Sequence, residues 1–347
     1  MKSVLSIDAN ALVHNIAQIK KRYPNTKILA YLKQNAYSMS DEIISSVLSM
    51  ADGFGVTDLD AAIKLRSIFA DKVIVDASMP PEKNALQKAS KQDITVVVYS
   101  EEMIDLIEKY NIKGRYWLKV NTGFNRLGIP ANYMDTSIER LQRFSKDKLV
   151  LMTHFMDSDI ESPMFKSQLD TWLELTKPYD LQLSHARSCS VLQGLNPIGD
   201  WIRPGLMLYG LDIDPSWDLK LAISLKSPIY QIRDVKKGEY VGYDHAFQFK
   251  KNTRIAIVAI GYGDGFPLQL SDESWLALNG QKISIVGKVS MDFIAVDIGN
   301  IEAKVGDYVE IIGPNSNVFK NYPFAPHAII TNLKHRRVNI EVNYHVQ

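Results

Sequence analysis

Lys33 is the first side chain of this sequence whose setting favours covalent chemistry. It directly follows the apolar run KILAYL and opens the segment KQNAY. An amine at the end of a buried strand can form a Schiff base with a carbonyl compound when burial or neighbouring cations lower its pKa. A single lysine is more often a solvated surface residue. The interpretation therefore depends on other segments of the chain.

Four more segments carry polar side chains at or just past the ends of β-rich runs. Lys119 and Arg126 lie in KVNTGFNRLG, His154 in THF, Ser188 in ARSCS, and Arg203 and Gly205 in RPGLMLYG. The hydroxyl of Ser188 and free backbone N–H groups near Gly205 are suitable ligands for a phosphate group. Taken singly, His154 is more often structural and Arg203 a salt-bridge residue. Their common position at strand ends favours one shared site.

Two glycine-containing turn segments follow later in the chain. GYGDGF contains Tyr262, and GKVSMD contains Met291. The first lacks the final glycine of a dinucleotide-binding loop, and the LQLSDESW that follows is a poor helix for capping a phosphate. The sequence therefore argues against a dinucleotide site here.

The elements that must position these residues form a repeating pattern between residue 27 and about residue 212. Short β-rich runs alternate there with helix-patterned runs, which is typical of βα units around a parallel sheet. The eight predicted strands are residues 27–32, 53–57, 72–76, 94–99, 115–120, 149–155, 181–186 and 206–211. Eight strands indicate an α/β fold of the (β/α)8 TIM-barrel type, whose active sites lie at the carboxyl ends of the strands.

After about residue 216 the pattern changes to β-rich segments separated by turn signals. Examples are IYQIRDV, RIAIVAI, KISIVGKV, FIAVDIG and DYVEIIG. We therefore predict a barrel domain over residues 1–215 and a C-terminal β domain over residues 216–347. The prediction leaves open that the first few residues pair with the β domain.

Composition and charge limit the class of protein and its partners. The 347 residues are 46% hydrophobic and 23% charged, with a net charge of +1, so we expect a folded protein that binds small ligands. We expect no nucleic acid, membrane or metal partner. Cys189 is the only cysteine, and neither a secretory signal nor a transmembrane stretch is evident, so we predict a cytoplasmic location.

Five motifs, in order over nearly the full chain, resemble those of the alanine racemase family, the fold-type III pyridoxal-phosphate enzymes. KQNAY is similar to the family's cofactor-lysine motif, LKVNTGFNRLG to its LKVDTGMGRLG, and RPGLMLYG to its RPG-x-x-LYG. GYGDG and VSMD resemble the GYADG and CMD motifs of its β domain. Five ordered motifs are far more specific than any one of them.

The resemblance implies a pyridoxal 5'-phosphate site. Lys33 would hold the cofactor, and Arg203 would face its pyridine nitrogen and keep that nitrogen unprotonated. The phosphate ligands would be Tyr37, Ser188, and the backbone at Gly205 and Leu206.

The resemblance also implies racemisation by two bases, one on each face of the substrate α-carbon. Lys33 and Tyr262 would supply them. Because the pKa of a tyrosine is ordinarily near 10, neighbouring groups must help it ionise, and His154 with Arg203 are the implied helpers. Arg126 would contact the substrate carboxylate or the cofactor's phenolic oxygen, and Met291 would contact the substrate. Lys119 matches a lysine that many members carry as a carbamate orienting the arginine that matches Arg126.

The implied activity is interconversion of L- and D-alanine, which supplies D-alanine for bacterial cell-wall peptidoglycan. The implied working unit is a homodimer in which each site is completed by the other chain. A serine or broad-specificity racemase is the alternative, since a pocket sized for a methyl group cannot strongly exclude one added hydroxyl. An amino-acid retro-aldolase or decarboxylase, or a non-catalytic cofactor-binding protein, is disfavoured by the domain that carries Tyr262.

The chain departs from the family pattern in three places. Where the family reads Ala-Tyr-Gly-His-Gly, this chain has Ala-Tyr-Ser-Met-Ser, with Ser38 and Ser40 in the glycine positions. Arg187 stands where asparagine is usual, adding a positive charge near the phosphate. His335 is the nearest match to a C-terminal tyrosine of the family. The entrance to the site is therefore the least certain part of the resemblance.

Overall fold

The computed structural model describes residues 1–211, 216–270, 273–318, 327–333 and 337–343. The chain divides into two units. We call Leu12–Ala36 with Ser40–Leu219 the barrel unit, and Met1–Ala11 with Tyr37–Met39 and Lys220–Gln347 the β unit. Among the described residues, no helix is long and apolar enough to cross a membrane.

Strands and helices alternate in the first part of the chain, and strands dominate the second. The strands are β1 Ser3–Asp8, β2 Lys27–Tyr31, β3 Gly53–Val56, β4 Val73–Asp76, β5 Thr95–Val98, β6 Arg115–Asn121, β7 Ile129–Pro130, β8 Val150–Met152, β9 Gln182–Ser184, β10 Trp201–Ile202, β11 Ile223–Val235, β12 Tyr240–Val241, β13 Phe247–Gln248, β14 Thr253–Val258, β15 Leu276–Leu278, β16 Gln281–Ile285, β17 Ile294–Asp297, β18 Tyr308–Ile312 and β19 Val338–Asn343. The helices are α1 Ala9–Arg22, α2 Lys33–Ser38, α3 Asp41–Val47, α4 Leu59–Ile68, α5 Lys83–Lys91, α6 Glu101–Lys109, α7 Met134–Gln142, α8 Pro163–Thr176, α9 Ser188–Leu192 and α10 His327–Thr331.

Eight parallel strands of the barrel unit form one sheet in the order β10-β2-β3-β4-β5-β6-β8-β9. A parallel bridge between Arg187 and Arg203 brings the two ends of this sheet together, and the N–H of Arg203 donates to the carbonyl of Ala186 at 3.0 Å. The predicted parallel barrel followed by a β domain is therefore confirmed. The carboxyl ends of all eight strands meet at one mouth of the barrel.

The side chains of alternate strand residues fill the inside of the barrel. They form one buried cluster composed of Leu29, Tyr31, Val75, Ala77, Val97, Trp117, Val150, Met152 and Trp201. The helices bury their own apolar faces, as in α6, where Met103, Ile104 and Ile107 are buried. Its cap residue, Ser100, accepts a hydrogen bond from the N–H of Met103.

The prediction for the eighth strand is wrong. Residues 206–209 form a 3-10 helix that ends at Gly210, whose φ is 65°. The eighth strand is β10, only two residues long, which pairs with β2. Pro204 follows it and has no N–H to continue the ladder, so the chain turns at Gly205. A strand of two residues is too short to recognise from the sequence. The run LMLYGL is predicted as the strand instead because it is as apolar as a buried strand.

The β unit contains an eight-stranded sheet in the order β14-β17-β16-β15-β18-β11-β1-β19. β14 also pairs with β11, which closes six of these strands into a ring. The N-terminal strand β1 pairs antiparallel with β11 and parallel with β19. The hydroxyl of Ser3 donates to that of Ser227 at 3.0 Å, deep in the unit.

Candidate active site

Lys33 lies directly after β2, at the mouth of the barrel. Burial of its amine lowers the pKa of Lys33, and three nearby positive charges lower it further. These belong to Arg126, Arg203 and Arg187. A lower pKa increases the fraction of neutral amine, which is the form that attacks a carbonyl carbon.

The chain after Lys33 makes a left-handed helical turn. Five successive residues from Gln34 to Ser38 have φ between 51° and 67°. Each non-glycine residue in this region costs about 1–2 kcal/mol. Within the barrel unit, Ala36 is fixed at both backbone groups, since its N–H donates to Leu32 at 3.1 Å and its carbonyl accepts from Tyr209 at 3.3 Å. Strain of this kind is commonly found where a functional side chain must be held in one place.

Lys119 extends from β6 into the same mouth and is 7% exposed. Burial, followed by the charges of Arg203, Arg126 and Lys33, lowers its pKa to about 8. A lysine with this pKa has a larger fraction of neutral amine near neutral pH than an exposed lysine has. It is therefore suited to reaction with an electrophile or to pairing with an anion.

The loop that carries Arg126 is organised by Asn121. The side-chain oxygen of Asn121 accepts hydrogen bonds from the N–H groups of Gly123 and Asn125, both at 3.0 Å. Asn125 has a φ of 57°, and it occupies the second glycine position of the resembled motif LKVDTGMGRLG. The guanidinium of Arg126 lies 4.4 Å from the ring centroid of Phe124. This contact holds an exposed cation near the mouth.

His154 follows β8 and packs edge-on against Phe124, with ring centroids 5.5 Å apart. Burial lowers its pKa to about 2, with contributions from the positive charges of Arg203 and Arg187. The imidazole is therefore neutral over the working pH range. It can act as a hydrogen-bonding group, and any effect on a neighbouring tyrosine must come through hydrogen bonding rather than through a positive charge.

Arg203 is 4% exposed and lies at the centre of the mouth. Its guanidinium donates to the hydroxyl of Ser184 and to the carbonyl of Thr153, both at 2.7 Å. Burial lowers the pKa of Arg203 to about 10, so the group remains charged. Ser184 has no signal in the sequence, because a lone serine has no recognisable pattern. Thr153 lies in the THF segment, but the role of its backbone carbonyl depends on the fold and cannot be predicted from residue type.

Ser188, Gly205 and Leu206 lie together after the last two barrel strands. The N–H of Gly205 donates to the hydroxyl of Ser188 at 2.9 Å. Arg187 caps the short helix α9 and reaches back to donate to the carbonyl of Asp157 at 2.7 Å. Its Nε is buried and has no partner among the described residues. A polar donor left in this state fits a site that receives an anion.

Tyr262 and Met291 lie on neighbouring segments of the β unit. The N–H of Tyr262 donates to the carbonyl of Ser290 at 3.1 Å, and that of Gly263 to Met291 at 2.8 Å. A Cβ on Gly261 would lie 2.3 Å from the carbonyl oxygen of Ser290, so only glycine permits this approach. The side chains of both residues are exposed on the surface of the β unit, Tyr262 by 40% and Met291 by 55%.

Two further residues are predicted from the sequence, Tyr37 and His335. Tyr37 is buried and clusters with the β unit, and its part in phosphate binding stays a prediction. His335 lies outside the described residues. Among the residues that are described, no group of acidic, histidine or cysteine side chains has the arrangement of a metal site.

Two family models cover this chain from residue 7 to residue 340 with a short gap. Residues 7–213 match the N-terminal domain of alanine racemase, and residues 222–340 match its C-terminal domain. This chain belongs to the alanine racemase family. The predicted family is thereby confirmed.

Alanine racemases of several bacteria are similar to this chain over nearly its full length. The enzyme of Aeromonas hydrophila is 32% identical over 96% of this chain and 98% of its own. That of Mannheimia succiniciproducens is 34% identical over 95% and 94%. Among solved structures, the alanine racemase of Acinetobacter baumannii superposes with a TM-score of 0.91 at 27% identity, covering 99% of this chain and 100% of its own. That of Bartonella henselae, which holds covalently bound pyridoxal phosphate, gives 0.89 at 26%, covering 99% and 100%.

Proposed function

We propose that this chain is an alanine racemase that interconverts L- and D-alanine with pyridoxal phosphate held on Lys33. One observation carries the proposal: a lysine with a lowered pKa lies among four other basic side chains at the mouth of the barrel. They are Lys119, Arg126, Arg187 and Arg203. Family membership over nearly the full chain supports the same activity.

The residues of the barrel mouth fit an anionic cofactor that carries a phosphate and an aldehyde. Across the described part of the chain, none of the five basic side chains forms an ion pair with a carboxylate. So many unpaired cations repel one another, and a bound anion would relieve that repulsion. The hydroxyl of Ser188 and the N–H of Leu206 provide phosphate donors of the required type, and the N–H of Gly205, which donates to Ser188, orients that hydroxyl.

Each residue then has a distinct task. When bound, the cofactor supplies an electron-accepting ring conjugated to the substrate amine, which acidifies the α-proton. Arg203 remains charged, so it would offer the pyridine nitrogen a hydrogen bond without giving up a proton. Such a contact would limit how much charge enters the ring and would favour return of the proton to the α-carbon over side reactions.

Two proton carriers are required on opposite faces of the α-carbon. Lys33 takes and returns the proton on one face, and the phenol of Tyr262 does so on the other. Arg126 holds the substrate carboxylate, and Met291 lies beside the small side chain. Lys119 orients Arg126, as a carbamate or through another anion. Serine is the second candidate substrate, because a pocket sized for a methyl group cannot strongly exclude one added hydroxyl.

The working unit in this proposal is a homodimer. The β unit exposes Tyr262 and Met291 together with five large aromatic side chains. These are Tyr230, Tyr240, Tyr243, Phe247 and Tyr308. Aromatic side chains are enriched at protein interfaces. A second chain that brings its barrel mouth to this surface would cover them and complete both sites.

Borohydride reduction tests the position of the cofactor. The holoenzyme is reduced and digested, and the peptides are mapped by mass spectrometry. We expect the pyridoxyl label on Lys33 because its lowered pKa favours attack on the aldehyde. A label on Lys119, the other lysine with a lowered pKa in the mouth, would overturn the assignment.

Replacement of Tyr262 by phenylalanine tests the second base. We expect Tyr262→Phe to lower α-proton exchange from L-alanine in deuterated water by at least about 100-fold, the size of effect typical for removal of a general base. The absorbance of the bound cofactor should not change, because phenylalanine keeps the aromatic ring of residue 262 and Lys33, which holds the cofactor, is intact. Exchange at the wild-type rate from both enantiomers would reduce Tyr262 to a packing residue.

A further inference from the structure

Tyr31 forms part of the floor of the barrel mouth. It is the last residue of β2, two positions before Lys33, and its side chain belongs to the buried cluster inside the barrel. Tyr31 pairs in register with Gly55 of β3. A Cβ on Gly55 would lie 2.7 Å from Cε2 of Tyr31, so the absence of a side chain at Gly55 makes room for the tyrosine ring.

The ring of Tyr31 lies directly below the predicted cofactor lysine. The Nζ of Lys33 is 5.8 Å from the ring centroid. Burial raises the pKa of Tyr31, and the positive charge of the nearby Arg203 guanidinium lowers it in part. These two cations are the groups expected at opposite ends of the cofactor ring, with Lys33 at the aldehyde carbon and Arg203 at the nitrogen. Tyr31 therefore lies under the space between them.

The hydroxyl of Tyr31 is buried and has no hydrogen-bond partner among the described residues. A buried hydroxyl without a partner destabilises a protein, and most such groups in folded proteins are satisfied. Its surroundings carry charge of both signs, since the guanidinium of Arg203 and the carboxylate of Asp76 both act on it. A hydroxyl in this position needs an oxygen acceptor for its proton. Such an acceptor can come from a ligand bound in the mouth.

We propose that Tyr31 is a cofactor-positioning residue, whose ring supports the bound cofactor from below and whose hydroxyl donates a hydrogen bond to the cofactor's phenolic oxygen. This oxygen is the acceptor nearest to the carbon that Lys33 attacks, since the two substituents are adjacent on the pyridine ring. The inference rests on the proposed function, because it requires pyridoxal phosphate on Lys33.

Replacement of Tyr31 by phenylalanine should have opposite effects on the empty and the loaded protein. In the cofactor-free protein the orphaned hydroxyl is removed, so the thermal midpoint should rise by about 2 °C. In the loaded protein one hydrogen bond to a charged oxygen is lost, so the dissociation constant for pyridoxal phosphate should increase by about 10-fold or more. The absorbance maximum of the bound cofactor should also shift, since the hydrogen bond acts on its chromophore.

Tyr116 provides a matched control in the same barrel. It is equally buried, but its hydroxyl donates to the carbonyl of Ile112 at 2.9 Å. Tyr116→Phe should lower the thermal midpoint, and it should leave both the affinity for pyridoxal phosphate and the absorbance maximum unchanged. The two variants lose the same atom, and they differ in its position and in whether it has a hydrogen-bond partner in the protein.

Gly55 tests the role of the ring itself. Gly55→Ala places a methyl group against the ring of Tyr31 and should weaken cofactor binding. In a Tyr31→Val background the ring is absent, so the same glycine replacement should have little further effect on affinity. A clear coupling between the two positions supports the floor contact, and additive effects contradict it.

The outcomes separate this inference from the proposed function. If the wild-type chain binds no pyridoxal phosphate on Lys33, the proposed function fails. If it does bind there, but Tyr31→Phe leaves affinity and absorbance at wild-type values, the hydroxyl has no cofactor partner and the inference is wrong. Higher affinity in Tyr31→Phe would equally overturn it.

Discussion

Lys119 is an amine whose pKa is lowered first by burial and then by neighbouring positive charges. Its pKa in the folded chain is about 8, against 10.5 for an unperturbed lysine. Between these two values the unfolded chain binds a proton that the folded chain does not. The free energy of unfolding therefore rises with pH across this window, and below pH 8 the ionised amine destabilises the folded chain by roughly 3 kcal/mol.

Replacement of Lys119 by methionine should remove this penalty. We expect the cofactor-free Lys119→Met chain to be more stable than wild type at pH 7, with the difference shrinking between pH 8 and pH 10. Denaturant unfolding at several pH values measures it. Lys148 is a suitable control, since it is exposed and pairs with Asp180 at 2.9 Å, and Lys148→Met should change stability little at any of these values.

Carbon dioxide offers an independent test of the same residue. A neutral amine reacts with it to form a carbamate, whose negative charge would pair with the surrounding arginines. Added bicarbonate at pH 8 should therefore stabilise wild type and not Lys119→Met. An equal response of the two chains, or a variant less stable than wild type at pH 7, would show that Lys119 already has an anionic partner.

Site residues differ in how readily they can be predicted from a sequence. Five site residues are predictable because they lie at strand ends within specific motifs. The structure brings them to one mouth of the barrel: Lys33, Lys119, Arg126, His154 and Arg203. Tyr31 has no such signal, because an aromatic residue in a β-rich run normally indicates only core packing. Its unpartnered hydroxyl becomes apparent only when the neighbouring strands are in place.

Ser38 and Ser40 replace two glycines of the resembled motif, in or next to the left-handed turn after Lys33, and this replacement strains the backbone. The resembled motif has glycine at both positions, and here serine adopts φ of 67° and 73°. Glycine adopts such angles without a steric penalty. The hydroxyl of Ser38 compensates in part by donating to the carbonyl of Thr331 at 2.8 Å, whereas Ser40 precedes α3 and makes no capping hydrogen bond.

Replacement of Ser40 by glycine should therefore stabilise the protein by about 1 kcal/mol. Ser38→Gly is the matched comparison, since it relieves similar strain but also removes a hydrogen bond, and we expect it to be nearly neutral. Chemical denaturation of both variants measures the difference. If Ser40→Gly were destabilising, the positive φ at this position would not be a source of strain.

Seven barrel strands lie within the predicted ranges to within one residue. Most of them are predictable because buried parallel strands are continuous apolar runs, and the three-residue strands β8 and β9 lie inside longer β-rich runs. The eighth is only two residues long and is held by its neighbours β2 and β9 rather than by its own composition. Long-range pairing of this kind leaves no local trace in a sequence.

At the scale of the whole molecule, the two proposed bases belong to different units. Lys33 lies in the barrel unit and Tyr262 in the β unit. The family models match each unit separately, over residues 7–213 and 222–340. The sequence alone cannot show whether a chain supplies both bases to one site or shares them with a second chain, because nothing in local composition records the pairing.

Subunit mixing decides between these arrangements. Lys33→Ala and Tyr262→Phe chains are each inactive in the proposed mechanism. In a mixed dimer with shared sites, one site has both bases and the other has neither. Random exchange makes about half of the dimers mixed, so about a quarter of wild-type activity should return. Self-mixed samples of each variant are the controls, and native mass spectrometry confirms the exchange. If exchange occurs and activity stays absent, both bases come from a single chain.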